Sequence, residues 1–225
     1  MTAMFQPQPI FLHADDDDDD EPAAPPPPAE APKKDGESRT DLTERMLKAR
    51  LVVLSGPVDD KLAARVIHEL LVLEADDATK PITMYLNSPG GSVTSGFAIY
   101  DMMRFIRPRV VVVCVGLTAS IGTIILLGAA KEDRLALPNT RLLIHQPLIA
   151  GNVYGPASDL EITANEILKT RGKINQLLAA ETGQPLARIE ADTQRDYWLT
   201  ASEAMDYGLV SRIVTERKEL DGLTA

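Results

Sequence analysis

Four short segments carry side chains suited to nucleophilic or acid–base chemistry. Ser120 stands in Thr118-Ala119-Ser120-Ile121-Gly122, between a valine-rich run (Val110–Val115) and a second apolar run (Ile121–Ala130). If a strand meets a helix there, the hydroxyl sits at a sheet edge and the next N–H groups lie at a helix N-terminus, where a developing oxyanion is stabilised. Serine is also a preferred helix N-cap, and spacing alone leaves both roles open. The segment lacks the first glycine of the G-x-S-x-G nucleophile elbow, so an ordinary α/β-hydrolase is not expected. His145 ends an apolar stretch and precedes Gln146-Pro147. Proline takes the chain out of regular structure, which leaves the imidazole on a rigid strand end that can present it to a cleft; taken alone, the residue reads more readily as a satisfied structural histidine. Asp192-Thr193-Gln194-Arg195-Asp196 is a compact acidic cluster beside the single tryptophan, Trp198. A carboxylate there can orient a histidine base and stabilise its imidazolium, or it can cap the following segment. The fourth segment is Asn87-Ser88-Pro89-Gly90-Gly91. Its paired glycines let backbone approach a ligand and offer N–H groups to it.

A serine, a histidine and an aspartate in that chain order would form a triad unlike the chymotrypsin, subtilisin and α/β-hydrolase orders. The remaining candidates are weaker. His13 lies in the N-terminal stretch. His68 begins His68-Glu69-Leu70-Leu71-Val72, which lacks the second histidine of a zinc helix, so it reads as a surface residue and no metal site is expected. The glycine turn is not G-x-G-x-x-G and has no phosphate-loop lysine, so no nucleotide cofactor is expected. Cys114, inside the valine run, reads as a small core residue; as the single cysteine it excludes an intrachain disulfide and suits a reducing, cytoplasmic compartment.

Alternating strands and helices must position these residues. Strands are expected over Leu51–Leu54, Ile82–Leu86, Val110–Val115, Arg134–Leu137, Arg141–His145 and Leu209–Val214. Helices are expected over Asp41–Arg50, Asp59–Glu74, Thr94–Ile106, Ser120–Ala130, Ser158–Glu181, Pro185–Ala191 and Ala201–Tyr207. The pattern implies an α/β domain with a largely parallel sheet. Val110–Val115 is too apolar for a solvated face and should be central.

Charge sets the domain limits. The 225-residue chain is 44% hydrophobic and carries a net charge of −10. Residues 1–44 hold 12 of the 33 acidic residues and 3 of the 23 basic ones, so the folded part is close to neutral. A near-neutral body argues against nucleic-acid binding. Residues 1–40 contain the run Asp15–Asp20 and the run Pro25–Pro28, and read as a disordered extension. A folded domain is expected over 41–216, followed by a tail over 217–225. The N-terminus lacks the pattern of a secretory signal. Val110–Ala130 has no charge, but it divides into strand, turn and helix, so no membrane span is expected.

Six ordered motifs resemble one known family. Asn87–Ser92 (NSPGGS), Gly116–Gly122 (GLTASIG), Ile144–Pro147 (IHQP), Glu166–Lys169 (EILK), Asp192–Asp196 (DTQRD) and Ala201–Leu209 (ASEAMDYGL) resemble the proteolytic subunit of the ATP-dependent Clp protease, from about Thr43 to Val214. The resemblance implies a crotonase-like α/β fold of repeated β-β-α units with a protruding handle, from Ile149–Pro156 and Ser158–Glu181. It implies Ser120 as nucleophile, His145 as general base then acid, and Asp196 as the residue orienting His145. The N–H groups of Gly91 and Ile121 would form the oxyanion hole. It further implies self-assembly as two stacked seven-subunit rings, unfolded polypeptide as substrate, and a hexameric Clp-type unfoldase that consumes the ATP. Three positions depart from the pattern. Gln194 stands where an acidic residue usually pairs with the opposite ring's arginine. Thr83 replaces a common aromatic of the unfoldase-docking pocket, while Tyr85 and Phe105 are retained. The pore-gating sequence is not recognisable in residues 1–40. A crotonase-like acyl-CoA enzyme and a non-catalytic ring subunit are the alternative readings.

Overall fold

The structure is a computed structural model that describes residues 36–149, 151 and 154–224. The acidic and proline runs expected to be disordered lie outside the described residues. Helix α1 (Gly36–Lys48) leads into strand β1 (Leu51–Ser55), helix α2 (Asp60–Asp76), strand β2 (Ile82–Ser88) and helix α3 (Val93–Phe105). Strand β3 (Val110–Ala119) is followed by helix α4 (Ile121–Leu126), strand β4 (Arg134–Ala136) and strand β5 (Arg141–Ile144). The long helix α5 (Ala157–Thr182) precedes helix α6 (Leu186–Asp192), strand β6 (Tyr197–Thr200), helix α7 (Ala201–Tyr207), strand β7 (Arg212–Ile213) and helix α8 (Lys218–Thr224).

One sheet runs β1-β2-β3-β4-β7, with β5 paired to β3 and β6 paired to β5. Every pairing is parallel except the antiparallel β5–β6 pair. The expected mixed α/β architecture, with β3 central, is what the chain adopts. Val110, Val112 and Cys114 point into the main core, while Val111 and Val113 enter a smaller cluster on the opposite face. A strand covered on both faces reads as an unbroken apolar run, which explains its composition.

Strand β3 is longer than the sequence suggested. Gly116-Leu117-Thr118-Ala119 belongs to it rather than to a junction. Its first half pairs with β4 through Val112–Cys114, and its second half pairs with β5 through Leu117–Ala119. Gly116 makes the bend between the halves, at φ 66°. The β2–β3 register shifts at the same place, between Leu86 and Ser88, and Asn87 Oδ1 accepts the displaced Leu117 N–H at 3.1 Å. The bend swings the end of β3 onto a second neighbour, β5, which carries His145 at its exit.

Other boundaries differ from expectation. Helix α4 covers six residues rather than the whole stretch to Ala130. The expected last strand, Leu209–Val214, is regular only at Arg212–Ile213. Helix α1 begins at Gly36, inside the stretch read as an extension. Residues 218–224, read as tail, form α8, whose Leu220 is buried against Val111, Val113 and Leu135 on the second face of the sheet. Leu223 packs against the same cluster, and so short a helix depends on such tertiary packing.

Candidate active site

Ser120 sits between β3 and α4 with φ 57° and ψ −125°, one of two non-glycine residues at positive φ among the described residues. Such a conformation costs on the order of 1–3 kcal/mol and persists only where the surroundings enforce it. They do so from three sides. The Ser120 N–H donates to Leu143 C=O on β5 at 2.9 Å. The Thr123 hydroxyl reaches the same Leu143 carbonyl at 3.0 Å. On the third side the glycine turn presses against the serine. The capping role open from sequence is not adopted, because the Ser120 side chain makes no capping hydrogen bond.

The hydroxyl faces His145 instead. Ser120 Oγ lies 2.8 Å from His145 Nε2, and His145 Nδ1 lies 3.0 Å from Asp196 Oδ1. A carboxylate only accepts, so Nδ1 carries the proton and Nε2 is left free to accept from the hydroxyl. The imidazole is largely buried at 16% side-chain exposure, while the Asp196 side chain is 61% exposed. The structure thus brings together the three side chains singled out from sequence. The arrangement can move a proton from Ser120 Oγ onto Nε2 while the carboxylate stabilises the resulting imidazolium.

Two backbone donors belong to the segments that meet at Ser120. Val58 brackets Gly91: its N–H donates to Gly90 C=O at 2.8 Å, and its C=O accepts from Ser92 N–H at 2.7 Å. The Gly91 N–H is thereby turned away from Val58, and among the described residues it has no acceptor. A side chain at position 91 would place its Cβ 2.2 Å from Val58 O, so glycine is required. The turn is tied down by Ser88, whose hydroxyl donates to Gly56 C=O at 2.7 Å and accepts from Gly90 N–H at 3.1 Å. Ile121, the first residue of α4, also offers an N–H without an acceptor among the described residues. Its side chain is seated over Gly96 of α3, where any Cβ would lie 2.1 Å from Ile121 Cγ1.

Beside Ser120 and His145 opens a shallow apolar recess, walled by Val93, Ile124, Ile144, Pro147, Ile174 and Leu178. Ile174 and Leu178 come from α5, four residues apart on one helical face. Sequence reasoning did not single out these walls, because apolar residues that line a cavity look the same as apolar residues that fill a core. The other strong nucleophile is excluded by its surroundings: Cys114 is fully buried, and burial pushes its thiol up to about 12. His68 is exposed on α2, as expected. Among the described residues, no helix is long and apolar enough to cross a membrane, and no cluster of three metal-ligating side chains occurs.

A protein-family model described as Clp protease matches residues 34–217, which takes in the glycine turn, Ser120, His145 and Asp196.

Proposed function

Because the chain belongs to the Clp protease family and is a ClpP-type peptidase, we propose that it is a serine endopeptidase in which Ser120, His145 and Asp196 act as the triad. The observation that carries this reading is the unbroken path Ser120 Oγ–His145 Nε2 and His145 Nδ1–Asp196 Oδ1, at 2.8 and 3.0 Å. His145 takes the hydroxyl proton as Ser120 attacks the scissile carbonyl, then gives it to the leaving amine. The acyl-enzyme is released when His145 deprotonates a water. Gly91 N–H and Ile121 N–H receive the oxyanion, each worth about 10²–10³ in turnover where such donors have been removed. The apolar recess receives the side chain preceding the scissile bond. The chemistry calls for no metal and no cofactor.

The family further supports assembly of copies of this chain into stacked seven-subunit rings enclosing the sites, fed with unfolded polypeptide by a hexameric Clp-type unfoldase that spends the ATP. A cytoplasmic setting fits that partnership. An acyl-CoA enzyme of the same fold finds less support, since such enzymes normally use glutamates and this site holds a serine–histidine pair. The test is hydrolysis of a fluorogenic peptide with a leucine or methionine before the reporter. Cleavage by the full chain, absent in Ser120→Ala, supports the reading; equal cleavage by both chains overturns it.

A further inference from the structure

We propose that Asn175 and Thr193 are positioning residues that fix the segment carrying Asp196, so that helix α5 sets how the carboxylate meets the imidazole. The proposal rests on the triad reading above and adds two residues to it.

The β5–β6 ladder ends at the pair Ile144 and Tyr197. The next contact between the two segments is Gln146 N–H donating to Thr193 C=O at 2.6 Å. Between these two fixed points, one residue on the first segment, His145, faces three on the second, residues 194–196. The extra residues form a loop that delivers Asp196 to Nδ1 at 3.0 Å. Where Asp196 lands therefore depends on both anchors of the loop. The Tyr197 anchor belongs to the sheet. The Thr193 anchor does not; it stands at the end of α6, outside the ladder.

Thr193 is held by its side chain. It is completely buried, and its hydroxyl lies 2.7 Å from Ile189 C=O and 3.1 Å from Asn175 Oδ1. Asn175 is 2% exposed and projects from α5 beside Ile174, the residue that walls the recess. The hydroxyl has one proton, so it donates either to Ile189 C=O or to Asn175 Oδ1; both contacts are hydrogen bonds when the Asn175 amide is turned to donate from Nδ2 to Thr193 Oγ, and in either arrangement leaving the buried amide without this partner is costly. Gln146 adds a second tie to the loop, donating from Nε2 to Gln194 C=O at 2.8 Å. The chain of contacts runs from α5 through Asn175 and Thr193 to Gln146 and the Asp196 loop. The same helix that shapes the recess thus also fixes the carboxylate.

Displacing a catalytic group by about 1 Å costs on the order of 100-fold in rate. Steady-state hydrolysis of a fluorogenic peptide by the full-length chain separates the possibilities. Thr193→Val keeps the shape and removes the hydroxyl, and Thr193→Ser keeps the hydroxyl. The expected result is a kcat at least tenfold lower in Thr193→Val with KM within twofold of the parent, near-parental kcat in Thr193→Ser, and a tenfold loss in Asn175→Ala. Trp198, two residues from Asp196, should change its fluorescence maximum in Thr193→Val and Asn175→Ala and not in Thr193→Ser. Parental kcat in folded Thr193→Val or Asn175→Ala overturns the proposal. Equal losses in Thr193→Val and Thr193→Ser, or failure of both Thr193→Val and Asn175→Ala to fold, also overturn it by assigning the pair to packing alone. A parent chain that does not hydrolyse the peptide, or one that loses nothing on Ser120→Ala, defeats the triad reading itself.

Discussion

Gly90 and Ser120 are packed so closely that a Cβ added to the glycine would lie 2.6 Å from Ser120 Cβ and 2.9 Å from Ala119 O. The glycine turn is therefore a wall of the site as well as a source of N–H groups. Gly90 also sits at φ 95°, a region that L side chains rarely adopt. Gly90→Ala should displace Ser120 relative to His145. The expected result is peptidase activity reduced by about 100-fold with the fold retained by circular dichroism. Activity near that of the parent would show that the turn yields without moving the serine.

Asp196 can be tested with little effect on folding, because its side chain is mostly exposed. Asp196→Asn lets an amide N–H face Nδ1, which drives the imidazole to the wrong tautomer. In a triad of this kind kcat falls by about 10⁴. The thermal midpoint should stay within a few degrees of the parent. A loss smaller than tenfold would remove Asp196 from the triad.

The recess predicts a preference. Ile174 and Leu178 close it from α5, and Ile124 and Ile144 line it. Peptides with leucine or methionine before the scissile bond should be cleaved faster than those with aspartate. Ile174→Phe should narrow the space and lower kcat/KM for the leucine peptide relative to an alanine peptide by about 10-fold, the order expected for one or two methylenes. An unchanged ratio would place the substrate side chain elsewhere.

Stability should fall in acid, and the sign follows from hydrogen bonding. The Thr200 N–H donates to the Glu203 carboxylate at 2.8 Å and, with the Thr200 hydroxyl, holds its carboxyl below the ordinary value. Asp77 is held below its ordinary value by the Thr79 hydroxyl and N–H. A carboxyl lowered in the folded state contributes stability above its unfolded pKa, and that contribution is lost as the pH falls through the folded value. The thermal midpoint should therefore decrease from pH 6 towards pH 3. Glu203→Gln should flatten part of that decrease. An identical pH profile in the variant would contradict the assignment.

Much of the architecture could be read in advance, for definite physical reasons. The valine run had to be a central strand, since no solvated face tolerates four successive valines followed by a cysteine and a fifth valine. Six motifs in order named the family and carried Ser120, His145 and Asp196 with them. Spacing alone favoured a cap over a nucleophile at Ser120. Only its positive φ and its hydrogen bond to His145 separate the two. Strand β6 was missed because Tyr197–Thr200 is short and runs directly into the Thr200–Glu203 capping box of α7. The contact of Asn175 with Thr193 could not be read locally, because it joins two helices through a single buried polar pair.

The most direct measurement is the intact mass of the chain after reaction with a fluorophosphonate, with the adduct located by peptide mapping. One phosphonyl group per chain, placed on Ser120 and missing from both Ser120→Ala and His145→Ala, is the result expected of a histidine-activated serine. Labelling that persists in Ser120→Ala, or an adduct mapped to another residue, would contradict it.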